Sequence, residues 1–418
     1  MTGKADGRTV PLMARRSWSL LGPAFVASVA YVDPGNVAAN LSAGTSYGYA
    51  LVWVLAAASL MAMVIQYQSA KVGLVTGRSL PQLVAQRLRR HRHAGSLTWL
   101  YGGQAFIVAV ATDVAEVVGG ALALYLLLGL PLWQGGIAVG VGSVLLLWAL
   151  RRRGEKVFEV GVGVTLALIT LGFLGALAWA PPDWQATWAG LVPTVPDPDA
   201  IPLTAAMLGA TVMPHAIYLH STLAIDRHRP HGKPAEDLPR LLRIQRLDVV
   251  LALLVSGSVN VGMLLLAASA LTATAGDTIE VAHAQLASNV GVVPAAIFAF
   301  GLLASGVGSA VVGTHAGARI LKDLMPMRMP PLLRRTLIIG PAVGLLLTDA
   351  PPTEVLVWSQ IVLSFGVALA AAPLASFTGD AELMGALVDR PWQRLLNWVI
   401  VSAVVGLNAV MIWWAFSG

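Results

Sequence analysis

The chain has 418 residues, of which 56% are hydrophobic and only 11% are charged, and its mean hydropathy is +0.73. This composition is far from that of a soluble globular protein and predicts an integral membrane protein. The absence of cysteine excludes disulfides, iron–sulfur clusters and thiolate metal sites. No Walker A loop, dinucleotide fingerprint or HExxH helix is present, so we expect neither an enzyme nor a bound cofactor.

Eleven apolar stretches are long enough to cross a bilayer as helices. They lie near residues 20–43, 49–70, 97–125, 131–150, 157–180, 200–224, 247–271, 291–317, 333–348, 353–374 and 393–416. The sequence therefore predicts an all-α protein with a single membrane domain over residues 1–418. The first stretch exceeds signal-peptide length, and we expect it to remain as a helix.

The basic residues indicate the orientation of these spans. With the N-terminus inside, all 27 Lys and Arg residues fall on the inner side. The outer loops carry only acids, namely Asp183, Asp197, Asp199, Asp277, Glu280, Asp349 and Glu354. Lys and Arg in short loops remain cytoplasmic, which predicts a multi-pass inner-membrane protein with its N-terminus cytoplasmic and its C-terminus outside. The net charge of +6 then reflects topology, and we expect no nucleic-acid partner.

The first span is interrupted at Asp33-Pro34-Gly35-Asn36. Proline has no N–H, so Pro34 frees the carbonyl of Ala30, and it also displaces Asp33 from the helical conformation. Irregular backbone in a bilayer is tolerated only where it is buried in protein or lines a cavity. An ionisable residue at this depth is costly, which makes Asp33 a functional candidate.

The third span contains two acids, Asp113 and Glu116, three residues apart and hence on one helix face. Neighbouring carboxylates in a low-dielectric environment repel, and one of them retains a proton more readily. This favours a proton relay, and a purely structural pair bonded to backbone or to Arg334 or Arg335 is the alternative.

The sixth span is interrupted in the same way at Met213-Pro214-His215. Pro214 frees the carbonyl of Ala210 and displaces Met213. His215 is able to carry a proton near neutral pH, or simply to bond the broken backbone. His220 lies elsewhere around the helix, and a structural role is favoured for it.

The tenth span contains Gln360, whose depth places its amide over the two breaks. Other intramembrane polar residues are interpreted as hydrogen-bonding contacts between helices; among these are Ser59, Gln66, Gln104, Glu159, Asn260, His315 and Ser359.

The two breaks open two blocks of five spans, about 20–180 and 200–374, followed by an eleventh span at about 393–416. Because five is odd, the second block must be inverted, an arrangement found in many secondary transporters. Carboxylate, amide and carbonyl oxygens suit divalent cations, and a thioether favours Mn²⁺, Fe²⁺ and heavier metals over Mg²⁺ and Ca²⁺. The breaks together therefore predict a transition-metal site at mid-membrane.

The chain also resembles the Nramp family of proton-coupled divalent metal transporters over nearly its whole length. The motifs that carry this resemblance are LGPAFVASVAYVDPGNVAAN, QSAKVGL, ATDVAEVVGGALALYLL, GATVMPHAIYLHS, LLASGVGSAVVGTHAG and SQIVLSFG, in family order.

The resemblance implies a LeuT-type fold and import of Mn²⁺ or Fe²⁺, also of Cd²⁺ or Co²⁺, with protons. It implies metal ligation by Asp33, Asn36, Met213, Ala30 and Ala210, with Gln360 alongside. It implies a proton path through Asp33, His215, Asp113, Glu116 and Arg335. Some relatives have an acid where this chain has Phe106 and an Asn where it has Ser59, so the details of that path differ here.

Two other functions fit parts of the pattern. A sodium-coupled amino-acid carrier shares the architecture, but Asp33 would repel a substrate carboxylate. A metal-gated channel or sensor is the second alternative, and saturable flux distinguishes a carrier from it. We expect no obligatory protein partner.

Overall fold

The computed structural model describes residues 22–229, 237–271, 276–324, 331–348 and 350–417. Within these ranges the side chains of residues 155, 331–338, 414, 415 and 417 are not described. The described residues contain α-helices and short helical turns and no strand, in agreement with the all-α prediction.

The α-helices follow in chain order. They are α1 Pro23–Ser28, α2 Pro34–Tyr47, α3 Val52–Thr76, α4 Leu80–Arg89, α5 Ala94–Leu128, α6 Leu132–Arg152, α7 Glu155–Ala176, α8 Trp184–Ala189, α9 Ala200–Thr211, α10 Pro214–His228, α11 Leu238–Ala270, α12 Ile279–Gln285, α13 Val292–Leu324, α14 Pro331–Leu346, α15 Pro352–Thr378, α16 Ala381–Met384 and α17 Pro391–Ser417. A 3₁₀ segment, Val29–Val32, follows α1 directly.

Each predicted span coincides with a helix or a broken helix. Within the described ranges, nine helical stretches are long and apolar enough to cross a membrane, with α9 and α10 counted as one. The remaining two predicted spans correspond to the broken pair α1–α2 and to α14, which has 16 residues. The count of eleven transmembrane helices therefore stays a prediction.

The break in the first span lies where Pro34 predicts it. Asp33 has extended backbone (ψ 166°) and is the N-cap of α2. Two carbonyls of the preceding segment accept hydrogen bonds from other helices: Asn260 Nδ2 donates to Tyr31 O at 2.8 Å, and Ser305 Oγ donates to Val32 O at 2.5 Å. Side chains of α11 and α13 thus donate hydrogen bonds to two backbone carbonyls, which lipid could not do.

The break in the sixth span is equally clear. Met213 is the N-cap of α10, with φ −72° and ψ 125°, and its side chain makes no capping bond. The turn before it closes with a bond from Val212 N to Leu208 O at 2.8 Å. Both predicted discontinuities are confirmed.

Glycines allow the helices to approach closely around the breaks. A Cβ atom at Gly119 of α5 would lie 1.9 Å from Pro34 Cβ, and one at Gly209 of α9 would lie 2.4 Å from Gln360 O. Any side chain there would collide with neighbouring atoms, so small residues at helix crossings hold α2, α5, α9 and α15 together.

Candidate metal site

Asp33 and Asn36 join the two breaks. Asp33 is 1% exposed, and its Oδ1 accepts bonds from Asn36 N and Asn36 Nδ2, both at 2.8 Å. Asn36 Nδ2 also donates to the carbonyl of Ala210 at 3.0 Å. The carbonyl freed by Pro214 therefore faces the carboxylate displaced by Pro34, although 174 residues separate Asn36 from Ala210.

Gln360 closes this cluster from the tenth span. Its Nε2 donates to Asp33 Oδ2 at 3.2 Å and to Ser359 Oγ at 3.3 Å. The side chain is fully buried on α15, at the depth that the sequence predicts. Both oxygens of Asp33 consequently contact amide donors from α2 and α15.

Three buried oxygens around the breaks lack a hydrogen-bond partner among the described residues. They are Asn36 Oδ1, Gln360 Oε1 and Thr211 Oγ1. Buried oxygens are costly when left unpaired, and a bound cation would satisfy them. Thr211 is not among the site residues predicted from sequence; its place two residues before Met213, at the end of α9, is the signal that points to it.

Met213 and Ala30 are fully buried at their respective breaks. Met213 begins α10 three residues after Ala210, and Ala30 lies in the 3₁₀ segment before Asp33. In the part of the chain that the structure describes, no group of three or more His, Cys, Asp or Glu side chains forms a metal cluster. The candidate site instead offers one carboxylate together with amide, hydroxyl, carbonyl and thioether groups, and its ligand roles remain predictions.

His215 links α10 to the helix that carries the two acids. Its Nδ1 lies 3.2 Å from Thr112 Oγ1, and Thr112 precedes Asp113 directly. Nε2 of His215 has no hydrogen-bond partner within the described ranges. The imidazole therefore stands beside the third span with one nitrogen available.

Asp113 and Glu116 are both buried, at 4% and 0% exposure. The Glu116 carboxylate faces α13, because a Cβ atom at Gly313 would lie 2.5 Å from its Oε1. Arg335, also expected on the proton path, lies in α14 among the residues whose side chains are not described.

His220 belongs to a separate buried network. Its Nδ1 lies 2.7 Å from Gln66 Oε1 and its Nε2 lies 3.2 Å from Gln245 Nε2. Gln66 in turn donates to the hydroxyl of Tyr31. These contacts support the structural role favoured for His220.

Asp248 anchors the start of the first span. Its carboxylate accepts from Gly22 N at 3.1 Å and from Ala24 N at 3.0 Å, and Gln245 Nε2 donates to it at 3.1 Å. Asp248 is not among the residues predicted from sequence to have a role. An aspartate inside the predicted span 247–271 was the available signal.

The fold has close structural relatives. Crystal structures of a manganese transporter from Eremococcus coleocola, one with an aromatic bis-isothiourea compound and one of a mutant form, superpose with a TM-score of 0.81 over 98% of this chain. The matched regions span 88% and 89% of the two solved chains, and the sequence identity is 24%. The superposition establishes a shared fold.

Other relatives share a higher sequence identity with this chain than the solved structures do. The chain is 47% identical to the divalent metal cation transporter MntH of Mycobacterium tuberculosis, over 97% of this chain and 93% of that one. It is 41% identical to the MntH of Deinococcus radiodurans, over 99% and 93% respectively. The model of the natural resistance-associated macrophage protein-like family, Nramp, matches residues 24–414. The chain is thus a member of the Nramp family.

Proposed function

We propose that this protein is a secondary active importer of divalent transition metals, with Mn²⁺ and Fe²⁺ as its main substrates and Cd²⁺ and Co²⁺ also accepted. The observation that carries the proposal is the Asn36 amide, which bonds Asp33 Oδ1 at one break and Ala210 O at the other. The carboxylate displaced by Pro34 and the carbonyl freed by Pro214 therefore contact the same amide group. The names of the MntH relatives support the substrate class.

Asp33 is the electrostatic centre of the proposed site. It is the one formal charge among the proposed ligands, and it attracts a cation strongly in buried surroundings. In this conformation Asn36 and Gln360 turn their amide nitrogens toward Asp33. Metal binding would require each amide to rotate so that its oxygen faces the ion. Met213 adds a thioether that favours softer divalent ions.

Ala210 and Ala30 contribute backbone carbonyls at different stages of transport. In the conformation described, the Ala210 carbonyl accepts from Asn36 Nδ2. A metal at this carbonyl would compete with the Asn36 amide for the oxygen lone pairs and so weaken this bond. A shift of α9 relative to α2 would break it, and such shifts between broken spans are how alternating access exposes a central site to each side in turn.

Protons move with the metal in this proposal. His215, next to Thr112 on α5, takes up a proton near Asp33, and Asp113 and Glu116 carry it along the third span toward Arg335. A relay on another helix lets the proton leave by a route separate from the metal ligands. The charge distribution supports a cytoplasmic N-terminus and a location in the inner membrane.

The alternative functions fit less well. In an amino-acid carrier the carboxylate of the substrate would bind at the break, where the buried carboxylate of Asp33 would repel it. A channel fits less well because hydrogen bonds that join α2, α9 and α15 close the site, so no open pore passes through it within the described ranges.

Asp33→Ala in proteoliposomes tests the proposal. Removing the buried carboxylate should weaken Mn²⁺ binding by about 30-fold or more, and uptake should fall to background. Asp183→Asn, which alters an exposed carboxylate in the α7–α8 loop, is the matched control and should transport normally. Thermal melting verifies folding. Saturable Mn²⁺ uptake by a folded Asp33→Ala protein would refute the site.

A further inference from the structure

A cavity open to solvent lies where α4 meets the end of α15. Its volume is about 450 Å³. Its cationic wall consists of Arg78, Arg87, Arg90 and His91, and its apolar wall includes Leu83, Phe377 and Leu383. None of these residues belongs to the proposed metal site or the proton path.

The cavity has a strong positive charge. The ion pairs recorded between described residues are Lys71–Asp389, Arg227–Glu159 and Arg319–Asp226, and none of them involves a cavity arginine. One acid, Asp380, lines the cavity. Its Oδ1 already accepts from the backbone N–H groups of Glu382 and Leu383. Three guanidinium groups thus face one carboxylate.

Two of the arginines are held in place by protein contacts. Arg87 Nη1 donates to Ser376 Oγ at 2.7 Å, and its guanidinium lies 5.2 Å above the ring of Phe377. Arg78 Nη1 donates to Gln86 Oε1 at 2.6 Å. Each of these groups retains further N–H donors, and fixed guanidinium forks match the oxygens of a phosphate.

The chain on either side of the cavity residues indicates a membrane–water boundary. Helix α4 is amphipathic: Leu80, Leu83 and Val84 are buried, whereas its last turn carries exposed arginines. Trp99, in the second turn of α5, is 49% exposed, and Trp392, at the start of α17, is 60% exposed. Exposed tryptophans concentrate at headgroup level.

We propose that this cavity binds the phosphate headgroup of an anionic phospholipid. The arginines bind the phosphate, and the partly exposed Leu383 contacts the first part of the acyl chains, while Leu83 and Phe377 are buried beneath the arginines. Basic pockets between membrane helices on the cytoplasmic side characteristically bind such headgroups. A soluble phosphate compound shares the headgroup chemistry, and the inferred position at the membrane boundary favours the lipid.

The test compares charge-matched pairs of substitutions in the full-length protein. Arg87→Gln/Arg90→Gln removes two exposed arginines that line the cavity, and Arg89→Gln/Arg92→Gln removes two exposed arginines of the same segment that do not line it. Binding of fluorescent phosphatidylglycerol is measured in phosphatidylcholine nanodiscs, with glycerol 3-phosphate added as a soluble competitor. Circular dichroism melting verifies that both variants fold.

A direct bond between a guanidinium and a phosphate is charge-assisted, and each such contact should contribute about fivefold or more to the affinity. We therefore expect the cavity pair to lower phosphatidylglycerol affinity about 20-fold and the control pair to lower it much less. We expect no competition by millimolar glycerol 3-phosphate. An equal loss in both pairs, or displacement of the lipid by glycerol 3-phosphate, would overturn the proposal. If the cavity pair fails to fold, Arg90→Gln is compared with Arg89→Gln, and the same fivefold difference is required.

Discussion

At the scale of single residues, the candidate site combines hard and soft ligands. Asp33, Asn36 and Gln360 belong to one hydrogen-bonded cluster, and Met213 lies at the start of α10. In the proposed function the oxygens of the cluster would determine whether a divalent cation binds at all. The thioether would determine which cation binds best, because it interacts weakly with Mg²⁺ and Ca²⁺.

Replacing Met213 should change selectivity more than it changes transport. Met213→Ala is expected to reduce Mn²⁺ uptake only partly, to weaken Cd²⁺ binding most, and to improve competition by Ca²⁺. Met207→Ala is the control, since Met207 is a fully buried methionine of α9 in an apolar cluster. Competition assays in proteoliposomes provide the measurement. An unchanged ratio of Cd²⁺ to Ca²⁺ inhibition in the Met213 variant would mean that this side chain only packs.

Asp113 tests whether protons travel separately from the metal. Asp113→Asn is expected to leave Mn²⁺ affinity within about threefold of wild type, because the proposed ligands come from other helices. Proton uptake should collapse, since an amide does not exchange a proton with the relay. Calorimetry reports the affinity, and a pH dye inside the vesicles reports proton flux.

The control for this variant is Asp226→Asn, which removes an acid that pairs with Arg319 outside the proposed relay. The relay assignment fails if Asp113→Asn transports protons normally, or if it loses metal binding as completely as Asp33→Ala does.

At the scale of helices, close crossings hold the broken spans in register. Gly209 of α9 lies against the backbone of Gln360 on α15, so the two site-bearing helices touch through a residue without a side chain. The proposed ligands on different helices would bind one ion only if such crossings are preserved.

Gly209→Ala should therefore be destabilising. The added Cβ would lie 2.4 Å from Gln360 O, and overpacking of this kind costs about 1–3 kcal/mol. Gly142→Ala on α6 is the control, because no atom lies within 4 Å of a Cβ there, and it should be neutral or stabilising by up to about 1 kcal/mol. Thermal melting and Mn²⁺ uptake measure both variants. Equal melting temperatures would show that the α9–α15 crossing is not tight.

At the scale of the whole molecule, the charge distribution predicts one orientation in the membrane. The chain contains no cysteine, so single introduced thiols report topology without background. Arg92 and Glu354 are both exposed and lie on opposite predicted sides. We expect Arg92→Cys to be labelled by an impermeant maleimide only in inside-out vesicles, and Glu354→Cys only in intact cells.

Labelling of both thiols from the same side would contradict the predicted topology. The wild-type chain, which should remain unlabelled in either preparation, is the control for leakage and nonspecific reaction.

The sequence by itself determined the features that depend on local chemistry. Apolar length located the helices, and Pro34 and Pro214 located the breaks, because a missing N–H and a restricted neighbour act within a few residues. The residue types displaced there, Asp33 and Met213, already indicated a cation. A family resemblance read from ordered motifs pointed to the same function.

Only the tertiary structure decided which side chains meet. Gln360 reaches Asp33 across 327 positions and His215 reaches Thr112 across 103. The free oxygen of Thr211, the anchoring by Asp248 and the arginine cavity beside Phe377 likewise arise from contacts between distant helices. Hydropathy and helical period specify that a helix is buried; its rotation, and hence the partner of each polar group, depends on packing against every neighbouring helix at once.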